Sequence, residues 1–310
     1  MRSGFASLLV QATAAAALAQ VIPDVRSAIA RNDFAAAEKH IADYRAQRGT
    51  TPEMLEAYSW LGRGALAAGK LDEAERYAAE TRRMALAELT KRPLDAERHL
   101  PIALGASIEV HGHVLARRNA RSEALTFLDD ELKRWRNTSI RTRIQKNIHL
   151  LSLKGQPAPR LEMDRWLGAR PSPQTDWKGR PTLLFFWAHW CGDCKRQVPV
   201  LASIQKEFGS RLRLVAPTQR YGFVARGQEA GPEEELKYID AIRKETYGAL
   251  DLTVPVSEEN FRNYGASTTP TLLLLDRQGK VALYHPGFMG YEDLAARLGE
   301  VMEHSAQTAN

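Results

Sequence analysis

The chain holds two cysteines, Cys191 and Cys194, three positions apart in the run Trp190-Cys191-Gly192-Asp193-Cys194. On a helix that spacing puts both side chains on one face, within bonding reach of each other. If the pair opens the helix, unsatisfied N–H groups and the positive end of the dipole favour an anion, and the thiol of Cys191 loses its proton readily. Cys191 would then attack a disulfide, and Cys194 would resolve the mixed disulfide so formed. The first cysteine is expected exposed and the second covered. Two other uses stay open. Zinc wants about four ligands, so His189 and residues far along the chain would have to join the pair. A structural cross-link closed over two residues removes little chain entropy. These residues call for no metal and no cofactor.

The elements around the pair fit redox work. Thr182 to Trp187 is an uninterrupted apolar run of strand length, as in a central strand covered on both faces. A helix from Cys194 to Phe208 and a second strand over Arg211 to Pro217 follow, which implies a parallel crossover. Pro232 to Glu245 reads as a helix. Thr271 to Asp276 and Lys280 to His285 read as a hairpin turning at Arg277-Gln278-Gly279, and Tyr291 to Glu303 as a last helix. A CxxC after a strand in an α/β pattern is a redox signature.

Upstream the pattern changes. Residues 24 to about 153 are rich in Ala, Leu, Glu and Arg and read as all helical. Tyr58, Leu61-Gly62 and Ala65, then Gly69-Lys70-Leu71-Asp72-Glu73-Ala74 and Ala78, resemble the tetratricopeptide repeat, whose small residues let antiparallel helices approach closely. Weaker copies run from Asn32-Asp33-Phe34 to Ala37 and Ile41, and from Gly112, Leu115 and Asn119 to Ala124 and Leu128. An insertion falls around Lys91 to Pro101, and a closing helix spans about Ser139 to Leu153. Such a stack would present a surface to a protein partner or support its neighbour. The run Lys133, Arg134, Arg136, Arg141, Arg143, Lys146 reads either as a positive face or as a solvated helix surface. Prolines 157, 159, 171, 173 and 181 mark the boundary between the two patterns.

Phe186-Trp187-Ala188-His189-Trp190-Cys191-Gly192-Asp193-Cys194 and Pro199, with Thr269-Pro270-Thr271, Gly279 and Gly287 downstream, resemble the thioredoxin fold, and more closely the TlpA/ResA-like thiol-disulfide oxidoreductases. The likeness covers about residues 157 to 305. It implies a cis Pro270 beside the cysteines, Thr269 as a backbone contact for an extended substrate, and supporting roles for Trp190 and Gly192; Pro199 would kink the active-site helix. The chain departs from the pattern in three places. Phe185 stands where thioredoxin has a buried acid, and Gln197 where some cytochrome-maturation members have Glu. Asp193 replaces a proline; its carboxylate would oppose the thiolate and make the protein more reducing, or it would serve simply as a helix-start acid. The long segment from Thr218 to Gly231 offers Arg220, Tyr221, Phe223 and Arg226 as a candidate substrate rim, or as aromatics packed on the fold beside solvated arginines.

Composition narrows the classes. With 43 Lys+Arg against 37 Asp+Glu, 44% hydrophobic residues and 310 residues in all, the chain suits two soluble domains and lacks the dense basic face of a nucleic-acid binder. From Gly4 to Ala19 no charge occurs, and Ala17-Leu18-Ala19 ends a weakly apolar stretch. It reads as a secretory signal, with a first amphipathic helix as the alternative. No stretch is long enough to span a membrane. The expected organisation is a signal over 1–19, a tetratricopeptide-like all-α domain over 20–154, a linker and first segment over 155–180, an α/β thioredoxin-like domain over 181–305 and a tail. The expected function is extracytoplasmic disulfide exchange, as a reductase, with protein clients and a membrane or soluble redox donor. A helical-repeat scaffold, a disulfide oxidase and a thiol peroxidase are the alternatives; the last would need Thr where Ala188 stands.

Overall fold

The computed structural model describes residues 21–307. The stretch read as a signal, residues 1–19, lies outside them. The described chain divides into two compact units, one ending at Ile144 and the other beginning at Gln145.

The first unit is helical: α1 (Val21–Ala30), α2 (Phe34–Arg48), α3 (Pro52–Ala67), α4 (Leu71–Glu88), α5 (His99–Arg117), α6 (Arg121–Arg134) and the first turn of α7 (Arg141–Ser152). From α1 to α6 each helix packs on the next in sequence, and α1 on α3 and α3 on α5 besides. Three turns are built alike. Asn32, Gly69 and Asn119 take positive φ of 60°, 76° and 64°, a conformation open mainly to Gly and Asn. Each donates its N–H to the carbonyl three residues back, and the following residue donates to the carbonyl five back: Asp33 to Ala28, Lys70 to Ala65, Ala120 to Leu115. A buried alanine then follows on the next helix, Ala37, Ala74 or Ala124. The uneven spacing of these hairpins comes from the connection between α4 and α5, which holds a 3-10 turn at Leu94–Ala96.

Small residues set how near the helices come. A Cβ on Gly62 would lie 3.5 Å from that of Tyr77, and one on Gly112 would meet the Leu128 side chain at 3.0 Å. The guanidinium of Arg82 donates to both carboxylate oxygens of Glu131 at 2.9 and 2.6 Å, joining α4 to α6, and the Trp135 indole donates to the same carboxylate. Despite its burial, Glu131 is held below the usual carboxylate range by these donors. Within the basic run, Lys133 faces Asp129 and Asp130, Arg134 stacks over Trp135, and Arg143 bonds Glu109.

In the second unit a six-stranded mixed sheet has the order β1-β4-β3-β2-β5-β6. Its strands are β1 (Trp166–Gly168), β2 (Thr182–Phe186), β3 (Arg213–Val215), β4 (Thr253–Pro255), β5 (Thr271–Leu275) and β6 (Val281–Pro286), with helices α8 (Gly192–Phe208), α9 (Pro232–Tyr247), α10 (Glu258–Tyr264) and α11 (Tyr291–Gln307). β2 and β3 run parallel, while β5 runs antiparallel to β2 and to β6. All five residues of β2 and of β5 are buried. Alternation divides them between two cores: Leu183, Phe185, Leu272 and Leu274 face the core that holds α8, α9 and α11, and Leu184, Phe186, Leu273 and Leu275 face that of α10 and Trp177. At about 1.5–3 kcal/mol per fully buried side chain, these two strands hold the centre of the sheet still. The β5–β6 turn sits at Gly279, φ 80°, where the Asp276 side chain accepts the N–H groups of Gln278 and Lys280. The stretch expected as a linker and first segment, residues 155–180, supplies β1, which pairs antiparallel with β4.

Candidate active site

β2 ends at Phe186 and α8 begins at Gly192, so Cys191 falls at the junction as the N-cap of α8. The turn between them is pinned to the end of β3. The Trp187 N–H donates to the Pro217 carbonyl, the Trp187 indole to that of Ala216, and the Thr218 hydroxyl to that of Trp187. Cys191 and Cys194 are joined as a disulfide with Cα atoms 5.3 Å apart. The Cys194 N–H points at the Cys191 sulfur, 3.0 Å away. This is one of the orphan donors of the helix start, aimed where a thiolate would sit.

Cys191 is 4% exposed and Cys194 fully buried. The expectation of an exposed first cysteine is therefore corrected for the disulfide form. Both sulfurs belong to the core cluster that includes Trp187 and Ala188, and the Thr269 carbonyl oxygen stands 3.4 Å from the Cys191 sulfur. The Thr269–Pro270 peptide is cis. Gly192, between the cysteines, would meet no atom within 4 Å if it carried a Cβ. The glycine therefore relieves no clash. Trp190, 52% exposed, stands just before the pair.

Asp193 lies in the first turn of α8, exposed, with its carboxylate 3.3 Å from the Arg196 guanidinium. Arg196 in turn stacks over Phe288, 5.0 Å from the ring centre. Gln197 is fully buried and clamps the backbone of Met289: its amide donates to the Met289 carbonyl at 2.9 Å and accepts the Met289 N–H at 3.0 Å. The segment after β6 is thereby tied to α8, and Gly287 of that segment donates to the Pro270 carbonyl at 2.7 Å. Phe185 is buried in the core.

The candidate rim divides. Arg220 and Arg226 are exposed, and Arg220 lines a cleft of about 290 Å³ with Arg165, Pro232 and Glu258. Tyr221 and Phe223 turn inward instead. Their rings stand edge-on to His189 at 5.7 and 5.3 Å, and Tyr221 also meets Trp190 at 5.5 Å. Desolvation pushes the Tyr221 phenol well above its ordinary range. The segment folds back on itself through the Val224 N–H to the Gln228 carbonyl and the Ala230 N–H to that of Gly222. The two aromatics therefore pack half-buried against His189 instead of standing free in solvent.

Sequence reasoning missed Glu235. Following Pro232, Glu233 and Glu234, it reads as one more solvated acid of a helix start, yet its side chain is 1% exposed. It accepts the backbone N–H groups of Tyr221 and Gly222 at 2.5 and 3.0 Å, and it stands 3.5 Å from the Nε2 of His189. Its helical position, three residues from Tyr238 whose ring also meets His189, is the signal that would have shown an inward face.

A family of thioredoxin-like domains matches residues 174–302. The chain is 30% identical over 148 residues to the thioredoxin-like protein YneN of Bacillus subtilis, covering 47% of this chain and 78% of that one. It is 28% identical to the thiol:disulfide interchange protein DsbE of Xylella fastidiosa, over 51% of this chain and 75% of that one. Against the thiol-disulfide oxidoreductase ResA of Geobacillus thermodenitrificans it is 27% identical, over 44% of this chain and 71% of that one.

Proposed function

The chain belongs to the thioredoxin-like proteins, and on that premise we propose that it is a thiol-disulfide oxidoreductase that reduces disulfides in client proteins through Cys191 and Cys194. The observation that carries the reading is the pair itself: Cys191 caps α8, the Cys194 N–H is aimed at its sulfur, and the Thr269 carbonyl lies beside it. In the dithiol form the Cys191 thiolate attacks one sulfur of a client disulfide. The S–S bond breaks, a mixed disulfide forms, and the departing client thiolate takes a proton. The Cys194 thiol gives up its proton and attacks the Cys191 sulfur, closing the Cys191–Cys194 disulfide and releasing the second client thiol. Two electrons and two protons pass to the client in all. A membrane or soluble thiol donor reverses the change at Cys191–Cys194.

Substrate contact falls to Trp190, Gly192 and the backbone of Thr269 before Pro270, with Arg220 and Arg226 at the outer rim. The reductase direction is favoured by an acid, Asp193, between the cysteines. The helical unit carries no cysteine and acts as a platform for a protein partner. Work outside the cytoplasm is supported by the apolar stretch Gly4 to Ala19 and its Ala17-Leu18-Ala19 end. Among the described residues no helix is long and apolar enough to cross a membrane.

The test is a trap. A Cys194→Ser chain, which cannot resolve, should accumulate clients disulfide-linked to Cys191, and the double Cys191→Ser, Cys194→Ser chain should hold none. Equal recovery from both would remove the enzyme reading and leave a scaffold.

A further inference from the structure

The reaction proposed above moves protons as well as electrons, and the two positions where the resemblance leads one to look for a proton-handling acid hold Phe185 and Gln197, neither of which titrates. Gln197 is also fully engaged with Met289. Near the cysteines the titratable groups on α8, Asp193 and Lys195, are exposed. Buried ionisable chemistry lies on the other side of the turn. His189, two residues before Cys191, has a side chain 1% exposed, with its Nε2 3.5 Å from Glu235 and in no closer hydrogen bond. Glu235 is the one buried acid among the described residues of this unit.

The surroundings hold this pair between two charge states. Rings of Tyr221, Phe223 and Tyr238 stand edge-on around the imidazole at 5.3 to 5.7 Å and exclude water. Burial works against the imidazolium, and so does Lys195; the Glu235 carboxylate works for it, and the net effect holds His189 below its ordinary value. A neutral His189 leaves Glu235 as a buried anion supported by two N–H groups; a protonated one makes a neutral pair. The titratable groups facing the imidazole are thus Glu235 and Tyr238 from α9, Tyr221 from the long segment and Lys195 from α8. The Cα atoms of His189 and Cys191 are two trans peptides apart, at most about 7.6 Å.

We propose that His189, seated by Glu235, is the proton-holding and positioning residue of the redox site: it takes up a proton when the Cys191–Cys194 disulfide is reduced and returns it when the disulfide re-forms. Two donor thiols supply two electrons and two protons and become a disulfide. One proton goes to Cys194; Cys191 remains a thiolate, and its negative charge draws the second proton to His189 instead of releasing it to solvent. Glu235 makes this uptake specific to the site, because the same carboxylate fixes Tyr221 and Gly222, and the Tyr221 ring rests on both His189 and Trp190.

The coupling rests on the disulfide chemistry proposed above, and the experiment separates the two. Imidazole resonances of the full chain are titrated by NMR in the oxidised and the dithiothreitol-reduced states, with His189→Gln identifying one signal among the eight histidines. The His189 pKa should be higher in the reduced protein by roughly half a unit or more. By linkage the same factor, about threefold, should appear in the pH dependence of the equilibrium with glutathione. Glu235→Gln, read by that equilibrium alone, should lose the extra pH dependence and serves if His189→Gln does not fold. Equal His189 pKa values in the two states, with glutathione exchange intact, overturn the coupling only. A pair that never equilibrates with glutathione overturns the exchange chemistry and the coupling with it.

Discussion

Asp193 is where electrostatics and exposure compete at the scale of a single residue. A carboxylate between two cysteines opposes the Cys191 thiolate, which disfavours the dithiol form and makes the pair more reducing. Here the carboxylate is exposed and faces Arg196 at 3.3 Å, so solvent and a cation both weaken its field. Asp193→Asn should therefore raise the reduction potential, and by less than the roughly 30 mV that a tenfold change in the exchange constant represents. Equilibration of both chains with glutathione measures this. An unchanged or lowered potential would leave Asp193 as a helix-start acid only. Cys191 and Cys194 were legible in the sequence because their spacing declares their chemistry, whereas the cis Thr269-Pro270 step came only from the family resemblance. Glu235 was not legible, because three successive acids after a proline look alike until a fold turns the third inward.

Among the elements, long apolar runs announced themselves. β2, β5 and α8 follow the expected bounds to within a residue or two because burial on both faces writes a continuous apolar run into the sequence, and burial on one helical face writes a period. β1, β4 and α10 were missed. The two strands are three residues each, too short to show alternation, and they exist by pairing with each other and with β3. The helical end of α7 gives a prediction at this scale. His149 donates its Nε2–H to the Asn263 carbonyl at the end of α10, at 2.8 Å, and its ring meets Tyr284. Burial holds its pKa below the ordinary value of 6.5, so it is neutral when folded, whereas in the unfolded chain it titrates near 6.5. As pH falls from there toward the folded value, the unfolded state binds a proton that the folded state does not, and stability is lost over that window. His149→Gln should narrow the difference between urea midpoints at pH 7.5 and pH 5. A variant with the wild-type difference would show that the contact does not sense pH.

At the scale of the molecule, both cysteines lie in one of two compact units, and this makes the chain's redox state a local variable. The α/β unit alone carries a bond that reduction can cut. The helical unit is held by small-residue helix contacts and by the Arg82–Glu131 bridge, none of which a thiol reagent alters. Closing so short a loop contributes only about 2 kcal/mol through chain entropy, which in a unit of this size corresponds to a shift of roughly 4–8 °C in its midpoint. Calorimetry of the full chain should accordingly show two unfolding transitions, of which dithiothreitol lowers one by that amount and leaves the other in place. A single transition that moves as a whole would mean that the two units unfold as one cooperative body, and that reduction at Cys191–Cys194 is felt by the helices as well.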